Sequence, residues 1–221
     1  MTDNLKEQKH QSRRKFLKTA AITTAAAAVV CVGAGALASL PPSIEFYETP
    51  AQEGNTVEKK VLVTYASKAG STAEVAQAIG EVLRGKGLSV DVKQIAHVTD
   101  VSGYQAVLVG SCIRMGSWLP AAVQFVEKNQ AALKSVPTAF FQVGSSLKED
   151  TPENQEEAKG NMAKARALVE PVSMGLFAGK VDFSKLSLLD RLIAKGVGSV
   201  EGDWRDWNAI KTWAGQALPG V

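Results

Sequence analysis

The sequence predicts an α/β protein, a doubly wound five-stranded parallel sheet, for which 2-1-3-4-5 is the natural candidate order. Three observations lead there. Short apolar runs alternate with amphipathic stretches of helical period. Those runs are nearly continuous in Val, Leu, Ile and Phe, as strands buried on both faces are. The chain has 221 residues, enough for one such domain and extra segments. In a sheet of this order a ligand sits at the carboxyl ends of strands one and three, where the strand order reverses.

The first strand ends in Val61-Leu62-Val63-Thr64-Tyr65. A helix over 71–84 follows, with Val75, Ala76, Ile79, Val82 and Leu83 on one face and Gly85 and Gly87 as its stop. Residues 88–95 alternate as a second strand through Leu88, Val90 and Val92, and 106–110 form a buried third. A helix over 119–133 turns Ala122, Val123, Val126 and Leu133 inward. The fourth strand, 137–144, carries Ala139, Phe140, Phe141 and Val143. Thr151-Pro152-Glu153 then opens a helix over 152–170 with a cap, a first-turn proline and an early acid. The fifth strand is 172–178, and a closing helix over 207–218 has Asp206 as its cap. Between them, 183–197 places Phe183, Leu186, Leu189, Leu192 and Ile193 among Lys180, Lys185, Arg191 and Lys195. Two readings of that stretch stand: a stripe covering the fifth strand, or a basic, apolar face for a membrane surface.

The N-terminus has a different character. Ser12-Arg13-Arg14-Lys15-Phe16-Leu17-Lys18 precedes an Ala- and Val-rich run over 19–40, the pattern of a twin-arginine export leader. Ala36-Leu37-Ala38 supplies a small-x-small cleavage site. The expected division is a signal peptide over 1–38, a polar linker over 39–58 and the folded domain over 59–221. The expected location is the periplasm or the outer face of the cytoplasmic membrane, with the twin-arginine machinery as a partner. An uncleaved anchor is the competing reading of the leader, since the run is long enough to span a bilayer.

Of the 25 basic and 22 acidic residues, six and two fall in 1–38, leaving 19 and 20 in the body. A near-neutral body without a basic face excludes a duplex-binding role. Cys31 lies in the leader and Cys112 has no mature partner, so there is no disulfide scaffold. His10 and His97 stand apart, and no Cys/His cluster has the spacing of a metal site. His97 is expected at the surface after a strand.

Three strand-end loops carry the candidate chemistry. Ser67-Lys68-Ala69-Gly70-Ser71-Thr72 joins the first strand to the first helix. A phosphate there meets free N–H groups and the positive end of the helix, with hydroxyls from Ser67, Ser71 and Thr72 and close backbone approach at Gly70. The loop is neither GxGxxG nor a Lys-Ser/Thr triphosphate loop, which disfavours dinucleotides and ATP. After the third strand, Ser111, Cys112, Ile113, Arg114, Met115, Gly116 and Trp118 leave room for a flat ring and offer faces to stack on it. After the fourth, Val143, Gly144 and Ser145 offer backbone amides to the ring edge. Cys112 is expected as a small buried residue. Helix packing is the expected role of Trp204 and Trp207.

The stretches 65–76, 110–120, 149–154, 175–180 and 202–207 resemble the flavodoxin-like family. They resemble more closely its branch of menaquinone-dependent protoporphyrinogen IX dehydrogenases. The resemblance implies a flavodoxin-like fold and a bound flavin mononucleotide (FMN) at the three loops. Many relatives have an aromatic residue where Arg114 stands and proline where Cys112 stands, which keeps both Arg114 and Trp118 open as the stacking side chain. The implied function is an FMN-dependent oxidoreductase passing electrons from a reduced donor to a quinone or redox-protein partner, with no catalytic acid or base identifiable. A flavodoxin-type carrier without its own substrate is the alternative, which the near-neutral body argues against. A non-redox binding domain is a third reading.

Overall fold

The structure, a computed structural model, describes residues 46, 48–50, 60–196 and 198–221. The leader, its cleavage site and most of the 39–58 stretch lie outside the described residues. Five parallel strands form the central sheet: β1 (Lys60–Ala66), β2 (Ser89–Gln94), β3 (Ala106–Arg114), β5 (Thr138–Gly144) and β6 (Met174–Ala178). Their order is β2-β1-β3-β5-β6, which is the expected 2-1-3-4-5, and a short β4 (Ser117–Trp118) pairs antiparallel with the end of β3. Val63 of β1 stands opposite Val92 and Leu108, placing the strand ends at one edge.

Helices cover both faces. On one, α1 (Ser71–Gly85) and α7 (Trp207–Ala214) bury Val75, Ile79 and Ile210 against Val61, Val63, Tyr65 and Phe141. On the other, α2 (Pro120–Lys128), α3 (Gln130–Ser135), α4 (Pro152–Asn161) and α5 (Ala163–Leu168) close over Leu62, Val107, Val109 and Phe140. Each large side chain buried this way contributes about 1.5–3 kcal/mol. Gly87, at φ 85°, ends α1. Its N–H reaches the Arg84 carbonyl and that of Leu88 the Leu83 carbonyl, so the last turn is closed by a left-handed cap.

Two expected long helices are each divided. The 119–133 stretch breaks at Asn129, whose side-chain amide donates to the Phe125 carbonyl at 2.9 Å and competes with the helix ladder. The 152–170 stretch breaks at Met162, after the poor helix formers Gly160 and Asn161. The 183–197 stretch is a 3₁₀ turn at Phe183–Lys185 followed by α6 (Leu188–Gly196). No described side chain of α6 is buried, so its stripe does not cover β6. That task falls to α7, where Trp213 packs edge-on to Phe177 at 5.5 Å. A hairpin of β7 (Lys180–Val181) and β8 (Gly202–Asp203) brackets α6.

Part of the 39–58 stretch is built onto the domain. Thr49 pairs antiparallel with Val92 through two backbone hydrogen bonds of 3.2 and 2.9 Å. Phe46 lies 6.4 Å from the Tyr65 ring, and one Glu48 oxygen accepts from the Gln94 N–H and lies 2.8 Å from His97 Nδ1. Among the described residues no helix is long and apolar enough to cross a membrane.

Candidate functional site

The strand ends converge on a cavity of about 400 Å³. Its walls include Lys68, Ala69 and Ser71 from the first loop, Cys112 to Gly116 from the second, and Val143, Gly144 and Ser145 from the third. The structure therefore brings all three predicted loops to one space. Ser67, Gly70, Thr72, Ser111 and Trp118 do not line it.

The first loop shows why. Gly70 caps α1 at φ 89°, a left-handed conformation that suits glycine, and its N–H donates to Ser67 Oγ at 3.1 Å. Ser67 thus shapes the loop. No side chain caps α1, so its first-turn N–H groups remain available to a ligand at the positive helix end. Thr72 is fully buried, and its Oγ1 has no hydrogen-bond partner among the described residues. A buried hydroxyl normally has one. An uncapped helix start, an unpartnered hydroxyl and Lys68 at the cavity wall fit a phosphate monoester.

In the second loop, Ser111 is internal. Its hydroxyl donates to the Cys112 carbonyl at 2.8 Å and accepts from the Leu119 N–H at 3.0 Å, tying the strand end to the start of α2. Trp118 is a core residue, 3% exposed, with its ring 5.1 Å from Phe140. Of the two stacking candidates only Arg114 reaches the cavity, and it is engaged by Asp190 of α6 at 2.6 Å. Met115, at φ 51°, is 90% exposed at the rim. Burial pushes the Cys112 thiol up to about 11, so it is neutral at pH 7.

The sequence reading missed the far wall. Gly179, Lys180 and Val181 follow β6, and Leu186, Asp190 and Ile193 reach over from the α6 segment. The rule that found the other loops, the carboxyl end of each parallel strand, points equally to 179–181. A buried guanidinium joins this wall to the first loop. Arg205, its side chain 4% exposed, binds Asp203 of β8 bidentately at 2.6–2.7 Å and Glu74 in the first turn of α1 at 2.6 Å. It also lies over the Trp207 ring at 4.6 Å. Neither Trp204 nor Trp207 is a core residue. Among the described residues no group of three His, Cys, Asp or Glu is arranged to hold a metal ion.

The profile of the flavodoxin domain family matches residues 62–207. The chain belongs to this family. Among curated relatives of this flavodoxin-domain chain is protoporphyrinogen IX dehydrogenase [quinone] of Escherichia coli K12. It is 23% identical over 169 residues, which cover 70% of this chain and 92% of that protein. The protein of that name from Leishmania major is 24% identical over 183 residues, covering 72% and 76%. Among solved structures, the two-electron reduced flavodoxin of Megasphaera elsdenii is similar at 14% identity and a TM-score of 0.46, covering 71% of this chain and 99% of that one. A flavin-based redox role goes with the family.

Proposed function

We propose that this protein is an FMN-dependent oxidoreductase that passes electrons from a reduced donor to a quinone or redox-protein partner. One observation carries the reading: three strand-end loops meet at a single cavity whose phosphate end has an uncapped helix and a buried, unpartnered Thr72 hydroxyl. Lys68, Ala69 and Ser71, with the free N–H groups of α1 and the Thr72 hydroxyl behind them, would hold the phosphate in a loop shaped by Ser67 and Gly70, while Cys112 to Gly116 and Val143 to Ser145 would flank the ring. Bound FMN supplies the two-electron chemistry, and the protein binds, orients and tunes it. The names of the relatives make protoporphyrinogen oxidation with a quinone acceptor the first activity to assay.

Gly70→Asp tests the cofactor assignment. It places a carboxylate where the phosphate charge belongs, and like charges at contact repel strongly. Gly70→Asn is the control, since asparagine tolerates the left-handed backbone without the charge. The expected result is loss of visible flavin absorbance and FMN content in the aspartate variant and substantial retention in the asparagine variant. An aspartate variant with full FMN content refutes the loop assignment.

The leader extends the proposal to export by the twin-arginine route, which carries folded proteins and so suits a cofactor loaded in the cytoplasm. Arg13→Lys together with Arg14→Lys should hold the precursor in the cytoplasm, and the exported form should begin at Ser39. N-terminal sequencing that finds the run over 19–40 intact on exported protein supports the anchor reading instead.

A further inference from the structure

A second cavity, of about 450 Å³, opens beside the first. Ser145, Ser146, Glu157, Val181 and Ser199 wall both. Lys148, Val200 and Trp204 line only the second, and no residue of the phosphate loop reaches it. The two cavities share the wall at Ser145 and Ser146, where the ring is assigned, so a molecule in the second cavity would lie beside that ring. Lys148 and Glu157 are exposed, and neither side chain makes an ion pair or a hydrogen bond with a described residue. Arg114 and Asp190, by contrast, are committed to each other. Trp204 is held in place: its backbone N–H donates to the Gly179 carbonyl at 3.2 Å, and its ring packs so close over Gly202 that a Cβ there would come within 2.5 Å of it. The second cavity thus has a fixed aromatic wall, one free cation at its own end and one free carboxylate at the wall shared with the first.

We infer that this cavity takes the electron donor, and that the donor is a near-planar dihydro-heterocycle carrying a carboxylate, aromatic once it has given up its hydride. The inference rests on the flavin reading above. A donor carboxylate on Lys148 sets the ring beside Trp204 and Val200 and turns its other edge to the shared wall. Oxidation there breaks one donor C–H bond. The hydrogen leaves with both bonding electrons for the flavin, and the donor ring becomes one unit more positive. The Glu157 carboxylate lines the wall where that charge develops and stabilises it.

The test uses the full chain loaded with FMN and two synthetic hydride donors that differ by one carboxylate. These are 1-benzyl-1,4-dihydronicotinamide and its 4-carboxybenzyl counterpart. Loss of visible flavin absorbance is followed without oxygen at low donor concentration. The carboxylated donor should react about fivefold faster, the ratio that one partly exposed charge pair supplies. Lys148→Glu should abolish or invert that preference with FMN content unchanged. Lys164→Glu, the same charge change on exposed α5 away from both cavities, should leave it in place. Glu157→Gln should slow reduction by both donors. A Lys148→Glu protein that keeps the preference overturns the subsite, as does a preference lost equally in Lys164→Glu. An FMN-loaded chain that neither donor reduces also overturns the subsite alone, whereas a chain that binds no FMN overturns the cofactor reading and the subsite with it.

Discussion

Arg205 shows how one side chain can couple two walls of a site. Its guanidinium is buried, while Glu74 and Asp203 keep roughly half of their side chains in water, at 47% and 42% exposure. Removing it leaves both carboxylates able to rehydrate, so the cost is smaller than for a fully buried pair, about 2 kcal/mol. It also frees a negative charge in the first turn of α1, the helix assigned to the phosphate. Arg205→Ala should therefore weaken FMN binding roughly fivefold while leaving riboflavin, which lacks the phosphate, little changed. Lysine should not restore the wild-type value, because it cannot form the bidentate contact to Asp203. Flavin fluorescence titration of the apoprotein with each compound checks this. Equal losses for FMN and riboflavin mean that Arg205 acts only on the fold.

At the scale of elements, the edge of the sheet depends on chain outside the five-strand repeat. β2 is an edge strand, and an unpaired edge exposes N–H and C=O groups. Thr49 covers part of it at Val92, Glu48 satisfies the Gln94 N–H, and Phe46 packs near Tyr65. Two backbone hydrogen bonds, one to a carboxylate and part of an aromatic ring, less the entropy of ordering a few residues, leave about 1–2 kcal/mol. A chain beginning at residue 59 should accordingly unfold at lower urea than one beginning at Ser39, by that amount of free energy. Superimposable urea curves for the two chains show that this segment adds nothing to stability. The element α6 is the opposite case: it buries no described side chain and is tied to the site through the Arg114–Asp190 pair. A partly exposed pair of that kind is worth about 1 kcal/mol or less.

For the whole molecule, the distribution of exposed apolar side chains matters most. Met115, Leu188, Leu189, Leu192, Ile193 and Val200 are exposed on the segments around the cavity, with Lys185 and Lys195 on the same stretch of chain. Isolated exposed leucines are ordinary, whereas a helix with its apolar stripe outward has yet to find what it packs against. We read it as a peripheral membrane contact that brings the cavity to the phase where quinones dissolve. Arg191 is occupied with the Phe183 carbonyl, which makes Lys185 and Lys195 the cations to change. Lys185→Glu with Lys195→Glu should keep FMN content and lower binding to anionic vesicles at least tenfold, at about 1 kcal/mol per basic residue near the surface. Vesicle sedimentation of leader-free protein checks it. No binding of the unmutated protein at low salt refutes the membrane contact.

The strands and the loops to inspect were legible in the sequence because both follow from local and periodic signals, while the order 2-1-3-4-5 was expected from the common doubly wound topology and was settled by the pairing. Val61–Tyr65, 106–110 and 137–144 read as buried strands without any partner being known, and in a parallel sheet the carboxyl ends of such strands fall at one edge. Tertiary structure alone decided which side of each residue is used. Trp118 and Arg114 both looked available for stacking, but the short β4 pairing turns Trp118 onto Phe140 and leaves Arg114 at the cavity. The leucines of α6 had the spacing of a core-facing stripe. Periodicity shows that a helix has an apolar face but not what that face meets, and here α7 already occupies the place over β6. The Arg205 knot joins residues 131 positions apart in sequence, and the second cavity is walled by α4, the β5 loop and the β8 hairpin together. Neither has a local signature, since each exists only once distant segments have packed.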